Sequence, residues 1–267
     1  MNLANAGINP HPVLEEVPWE TRNLSMPAFE LTGMPELRDT FLELLEKTIP
    51  NCDEDYFVQT RISSQRTNLI QRAQEFGFRL AEMSIEPWVD LSHCSILHEY
   101  NSNKSHYQPR LLDANAIRST CVAVNEVSPD DKSSIIEISR SVFTADRFHM
   151  DPGCSREVAD NRMGLWVEHD LFNDKANQCS LLHYKHELVG YIIWKADNII
   201  LGGAISEKFM GKGFAKTLYI ESMVDVKNGG AENISTTISV NNVGVLNLYS
   251  RLGFSFRNPL YVFHYWG

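Results

Sequence analysis

Apolar positions in the second half of the chain follow two alternating periods. Ile234 to Val240 is rich in β-branched residues and reads as a strand. From Val243 to Leu252 the period lengthens. Val245, Leu248 and Leu252 fall on one helix face, and Gly253 ends the helix. Upstream, an apolar strand at Leu201 runs into a glycine-bearing loop and then a helix from Lys216 to Val226. Earlier still, strands near Ser180–Tyr184 and Leu188–Lys195 flank the turn Lys185-His186-Glu187. A strand near Val122–Asn125 leads to Ser128-Pro129-Asp130-Asp131, whose Pro and acidic residues signal the start of a helix through Ile135, Ile138 and Val142. A loop with Arg147, Phe148, His149, Asp151 and Pro152 follows, and then a helix around Trp166–Phe172. A last strand is expected near Leu260–Tyr265. This alternation of strands and helices predicts an α/β protein with a mixed sheet.

The segment Glu99 to Pro109 is polar, poor in aliphatics, and reads as a linker. It divides the chain into an N-terminal part, 1–110, and a C-terminal part, 111–267. The N-terminal part carries a fainter echo of the other. Leu69 to Gly77-Phe78, followed by a strand near Arg79–Ile85, imitates Leu246 to Gly253-Phe254 and the strand after it. No glycine loop joins a strand to a helix in the N-terminal part, so no second phosphate site is expected there.

Bulk properties narrow the function classes. The formal net charge is −10, which argues against a general nucleic-acid binder, because that needs a basic face. No apolar run is long enough to span a bilayer, and residues 1–12 carry no secretory pattern. The five cysteines are scattered, which favours free thiols in a reducing compartment. A cytoplasmic protein is the expectation. Neither His-x-x-x-His nor Cys-x-x-Cys occurs, so no metal site is expected.

The most informative stretch is Leu201 to Ala215. Gly211, Gly213 and Ala215 remove side-chain bulk where backbone N–H groups converge on a helix start. Such a start has unpaired N–H groups and partial positive charge, and it binds phosphate without basic side chains. A second landmark is Asn242, seven residues ahead of Tyr249, with Gly253-Phe254 after it.

Together these segments resemble the acyl-CoA-binding core of the GNAT superfamily of N-acyltransferases. That family carries Arg/Gln-x-x-Gly-x-Gly/Ala at its pyrophosphate loop, where this chain has Met210-Gly211-Lys212-Gly213-Phe214-Ala215. Met210 departs from the pattern and removes one side-chain contact, but the backbone cradle remains. The resemblance implies a full GNAT domain over 111–267 and a degenerate half-GNAT domain over 1–110. It implies acetyl-CoA as acyl donor and a small amine as acceptor, with a homodimer as an open possibility. Val17 to Ala28, with Trp19-Glu20-Thr21, and Arg147-Phe148 to Asp151-Pro152 followed by Trp166, resemble the dTDP-fucosamine (dTDP-4-amino-4,6-dideoxygalactose) N-acetyltransferase group. This implies a nucleotide-linked amino sugar as acceptor.

Acyl transfer from a thioester needs a held donor, a neutral amine, a stabilised oxyanion and a protonated leaving thiolate. The resemblance assigns the pyrophosphate to the N–H groups of Gly211, Lys212, Gly213, Phe214 and Ala215. It gives the pantetheine arm to Asn242 and to backbone groups of Gly203, Ala204 and Ile205. Tyr249 is the expected general acid, since a phenol stays protonated at neutral pH. For the base, His149 is favoured over Asp151, Glu168, His169 and His183, with an ordered water as a further option. Another amine, a longer or carrier-bound acyl group, and a non-catalytic acyl-CoA-binding module remain alternatives.

Overall fold

Two sheets, splayed apart at one corner, organise this computed structural model, which describes residues 12–49, 54–107, 109, 114–195 and 200–267. The N-terminal part runs β1 (Val13–Glu16), α1 (Pro18–Leu24), β2 (Ala28–Thr32), α2 (Arg38–Thr48), β3 (Phe57–Ser63), α3 (Thr67–Glu75), β4 (Arg79–Asp90) and α4 (Ser95–Ser102). The C-terminal part continues with β5 (Ile117–Ala123), α5 (Pro129–Val142), α6 (Arg156–Trp166), β6 (Asn177–Tyr184), β7 (Glu187–Lys195) and β8 (Ile200–Ile205). It ends with α7 (Phe214–Asn228), β9 (Asn233–Ser235), β10 (Ile238–Ser239), α8 (Val243–Arg251) and β11 (Ser255–Trp266). The mixed α/β class expected from the sequence is the class observed.

Local chemistry explains the boundaries. Ser128 Oγ caps α5 by accepting from the Asp131 N–H at 3.1 Å, with Pro129 at the first helical position. The β6–β7 turn places both Lys185 and His186 in the left-handed region, the geometry a two-residue hairpin requires. Thr236 breaks the run expected from Ile234 to Val240 into β9 and β10. Its N–H donates to the Pro87 carbonyl of β4 at 3.2 Å, and its hydroxyl donates to the Ile200 carbonyl of β8 at 2.9 Å.

Three expectations need correction. The segment Glu99 to Pro109 is no loose linker. It contains the end of α4 and a 3-10 turn (Lys104–Tyr107), and Tyr100 and Tyr107 are buried in the core beneath α7. The helix expected at Trp166 begins ten residues earlier, capped by Ser155, and passes into a π turn (Val167–Leu171). The first strand of the C-terminal part begins at Ile117, and Val124–Glu126 is a 3-10 turn.

One sheet is an antiparallel ribbon, β5-β6-β7-β8. Leu182 and Ile192 on one face pack against α7, while Leu181, Tyr191 and Ile193 on the other pack with residues of α5 and the π turn. The second sheet runs β1-β2-β3-β11-β4-β10, with β9 also beside β4. The last strand therefore does not finish the C-terminal sheet. It inserts between β3 and β4 of the N-terminal part, while β4 pairs with β9 and β10 of the C-terminal part. The echo noted in the sequence has a structural counterpart: α3–Gly77-Phe78–β4 and α8–Gly253-Phe254–β11 place their long strands antiparallel and adjacent. The N-terminal pair β2 and β3 is hydrogen-bonded in parallel. The C-terminal pair β8 and β9 falls in different sheets, and that parting opens the cleft described next.

Candidate active site

β8 is the outer strand of its sheet, so Gly203, Ala204 and Ile205 carry an open backbone edge. The register skips Leu201, with Trp194 opposite Ile200 and Ile193 opposite Gly202. This bulge re-aims a side chain and frees ladder groups, and Leu201 lines the cleft. From Ile205 the chain passes through a 3-10 turn (Glu207–Phe209) into Met210-Gly211-Lys212-Gly213. Gly211 and Gly213 have φ of 72° and 89°, values that L side chains rarely adopt. Phe214 anchors the start of α7 by complete burial. Among the described residues, no side chain caps α7, and no acidic residue stands in its first turn, which leaves positive potential at its terminal N–H groups. Lys212 Nζ donates to the Lys208 carbonyl at 2.6 Å, which holds its charge at the loop.

Asn242 caps α8, its Oδ1 accepting from the Val245 N–H at 3.3 Å, and it also lines the cleft. Tyr249 lies deeper, 2% exposed, with its hydroxyl 3.3 Å from that of Tyr219 and in hydrogen-bonding reach of Thr236. Burial, then the neighbouring Tyr219, hold its phenol well above the usual value. Tyr249 is therefore a protonated group directly behind Thr236, which lines the splay.

His149 is placed differently from the sequence expectation. Nδ1 lies 2.7 Å from Asp146 and Nε2 3.0 Å from Asp160, and the side chain is 1% exposed. Both ring nitrogens are taken by carboxylates, so neither is open to an amine. Its partner Asp146 lines the cleft, but His149 does not.

The cleft is a cavity of about 860 Å3. One wall is the end of α5 and the chain after it (142–147), together with Arg162, Met163 and Trp166 of α6. Ile200, Leu201 and 235–239 form the splay side. The floor is one face of the larger sheet. Arg61 pairs with Val262 and Val262 with Glu82, so these three share a face, followed by Ser84 beside Ser239 and Glu86 beside Arg257. The opposite face, with Val58, Ile62 and Phe263, belongs to the hydrophobic core that includes Phe41 and Leu45 of α2 and Ala73 of α3.

This polar floor is largely self-paired. Glu30 accepts from Arg61 Nη1 at 2.5 Å. Glu86 accepts from Arg257 at 2.8 Å and from Asn258 at 2.6 Å. In the wall, Glu20 of α1 is fully buried and accepts from Arg147 at 2.7 Å and from Arg162 at 2.8 and 2.5 Å. Burial pushes the Glu20 carboxyl up, but Arg162 and Arg147 together outweigh it and hold it below its ordinary range. Trp19 packs on Trp166, and Arg162 lies over both Trp19 and Phe148. The two N-acetyltransferase-like stretches of sequence thus meet in one seam. Among the described residues, three cleft atoms are buried without partners: Glu82 Oε2, Ser84 Oγ and Arg147 Nε. Among the described residues, no cluster of His, Cys, Asp or Glu could hold a metal ion.

Sequence reading missed Arg61, Glu82, Ser84 and Glu86. The spacing of Glu82, Ser84 and Glu86, alternating with Met83, Ile85 and Pro87, was the available signal. On its own it describes any half-exposed strand.

Residues 145–254 match the model of the acetyltransferase (GNAT) family. That segment is less than half of the chain and is similar to a GNAT acetyltransferase domain, which supports an N-acyltransferase enzyme. The spore coat polysaccharide biosynthesis protein SpsD of Bacillus subtilis (strain 168) is 28% identical over 141 residues, covering 52% of this chain and 48% of that protein. The match spans about half the length of that relative. A functionally unknown conserved protein from Staphylococcus epidermidis ATCC 12228 superposes with a TM-score of 0.62 at 11% identity, over 99% of this chain and 95% of the other. A tandem GNAT protein from the clavulanic acid biosynthesis pathway does so with a TM-score of 0.57 at 10% identity, over 90% and 75%. At these identities the two structures establish the fold alone. Among the described residues, no helix is long and apolar enough to cross a membrane.

Proposed function

We propose that this protein transfers an acetyl group from acetyl-CoA to a small amine, and that the amine belongs to an amino sugar, with a nucleotide-linked sugar as the preferred form. One observation carries the reading. The glycine loop follows β8, whose outer edge is open and whose first residues, Ile200 and Leu201, line the cavity between the sheets. The donor's pyrophosphate sits on the N–H groups of residues 211–215, and its pantetheine arm runs along Gly203 to Ile205 and Asn242. The amine enters the cavity. Its nitrogen attacks the thioester carbon, the C–N bond forms, the C–S bond breaks, and Tyr249 gives its proton to the departing sulfur. The amine's own proton loss restores Tyr249. Hydrogen-bonding groups line the cavity floor, as a polyhydroxylated acceptor requires, and the similarity to SpsD, a spore coat polysaccharide biosynthesis protein, supports a carbohydrate context. In this reading residues 111–267 hold the donor, and 1–110 carry no acyl-CoA site.

The test is release of free thiol from acetyl-CoA against a panel of free and nucleotide-linked amino sugars, diamines and amino acids, with calorimetry for the donor. One donor site per chain and release that depends on an amino sugar are expected. Release only with a longer or carrier-bound acyl donor would replace acetyl-CoA. Donor binding without transfer to any amine would leave a non-catalytic module.

A further inference from the structure

We propose that Glu82 is the proton acceptor for the incoming amine, so that the N-terminal part supplies a catalytic group to the C-terminal transferase site. This rests on the transferase reading above. Glu82 stands on β4, the strand that the N-terminal part contributes next to β9 and β10. It lines the cavity on the same sheet face as Ser239 of β10. Ser239 hydrogen-bonds its carboxyl, but Oε2 is buried with no hydrogen-bond partner. The other carboxylates of this lining differ. Glu86 is held by Arg257 and Asn258, and Asp146 is held by His149 and the Phe148 N–H. A buried carboxylate oxygen that lines the cavity without a hydrogen-bond donor among the described residues can accept a hydrogen bond from an incoming group. An ammonium group supplies one.

The charged and titratable groups facing Glu82 are Arg61 from β3 and Asp146 and Arg147 from the segment after α5. Burial raises the Glu82 carboxyl above its ordinary value. Arg147, Ser239 and Arg61 pull it down, Asp146 pushes it up, and the net direction is upward. That direction suits a base, because it brings the carboxyl nearer to working pH. Glu82 takes one proton from the ammonium, leaving a neutral nitrogen with a free electron pair. That nitrogen attacks, and Glu82 returns its proton to solvent after the product leaves. Neither Arg61 nor Arg147 can play this part, since guanidinium groups stay protonated.

Glu82→Gln tests the proposal, because it keeps shape and removes the acceptor. With acetyl-CoA and the best amine of the panel, kcat should fall roughly 100-fold at neutral pH, with donor affinity unchanged. The deficit should shrink as pH rises and the amine loses its proton to solvent unaided. A deficit that stays constant with pH, or undiminished turnover, would overturn the base. A second readout needs no substrate: NMR titration of the carbon-labelled Glu82 carboxyl in the whole wild-type protein. A midpoint above the ordinary glutamate value is expected, and one at or below it overturns the proposal. A wild-type protein that binds acetyl-CoA but acylates no amine overturns the transferase reading, and the base with it. An active wild type with an equally active Glu82→Gln variant overturns the base alone.

Discussion

Tyr249 is the proposed acid for the leaving thiolate, and its buried hydroxyl lies within hydrogen-bonding reach of Tyr219 and Thr236. Burial raises its pKa, so it is a weak acid before coenzyme A arrives and remains a protonated one. Tyr249→Phe keeps the ring, which packs edge-on against Tyr219 and tilted against Phe254. Folding and donor affinity should therefore change little, while turnover falls by roughly 10-fold or more. Unchanged turnover when chemistry limits the rate would remove the acid role. Gly213 makes a different prediction. Among the described residues an added Cβ would meet only Pro109, at 3.9 Å, so bulk against them is not the obstacle. The obstacle is φ of 89°, together with the space that phosphate must enter. Gly213→Val should raise the Michaelis constant for the donor by roughly 10-fold or more, the worth of one or two lost phosphate hydrogen bonds. Met210→Ala should do far less, since Met210 is half exposed and donates no hydrogen bond. At this scale legibility follows chemistry. A left-handed backbone leaves a glycine in the sequence, and a cap leaves an Asn. A base such as Glu82 leaves only one more glutamate on a strand.

Helix α6 shows why an element can escape a periodicity reading. Arg162 and Gly164 turn inward, and Arg162 is buried because Glu20 on α1 neutralises it. An arginine on a buried face reads as polar surface until its partner is known. By contrast α5, α7, α8 and the β6–β7 hairpin were legible because each is marked by a cap, a glycine or a tight turn. The Glu20 seam yields the prediction for this scale. Glu20→Gln removes the carboxylate that pairs with two buried guanidinium groups, and removing one partner of a buried pair costs about 3 to 5 kcal/mol. Thermal unfolding should shift down accordingly, with α1 loosened from α6. The folded Glu20 carboxyl lies below its unfolded value, so its stabilisation is present above the ordinary glutamate range and is lost as pH falls through the lower, folded value. The acid limb of a stability profile should be shallower in Glu20→Gln. An unchanged profile and midpoint would show that the seam is dispensable.

Across the whole molecule, the exchange of β4 and β11 binds the two parts into one sheet, and no sequence pattern announces it. The strand at Leu260 to Tyr265 was legible as a strand; its partners were not, because pairing across roughly 200 residues has no local signature. The end of β11 is also fixed from above. His264 is fully buried between Phe57 and Phe148, with Nδ1 2.6 Å from Asp151, and Trp266 Nε1 donates to the same carboxylate at 2.8 Å. Nε2 has no partner, so a second proton there would be a buried donor without an acceptor. Burial accordingly lowers the His264 pKa to about 4, against the upward pull of Asp151. An unfolded histidine titrates near 6.5, so between about 6.5 and about 4 the unfolded chain binds the extra proton and the folded chain does not. Stability is whole above that window and falls as pH descends through it, by on the order of 3 kcal/mol in total. Denaturant midpoints measured from pH 7 to pH 4 should trace this fall. His264→Asn keeps a donor for Asp151 but cannot titrate. It should start less stable, through lost packing, and then decline less steeply over the same window. Parallel profiles for the two proteins would show that the acid sensitivity of the joined sheet lies elsewhere.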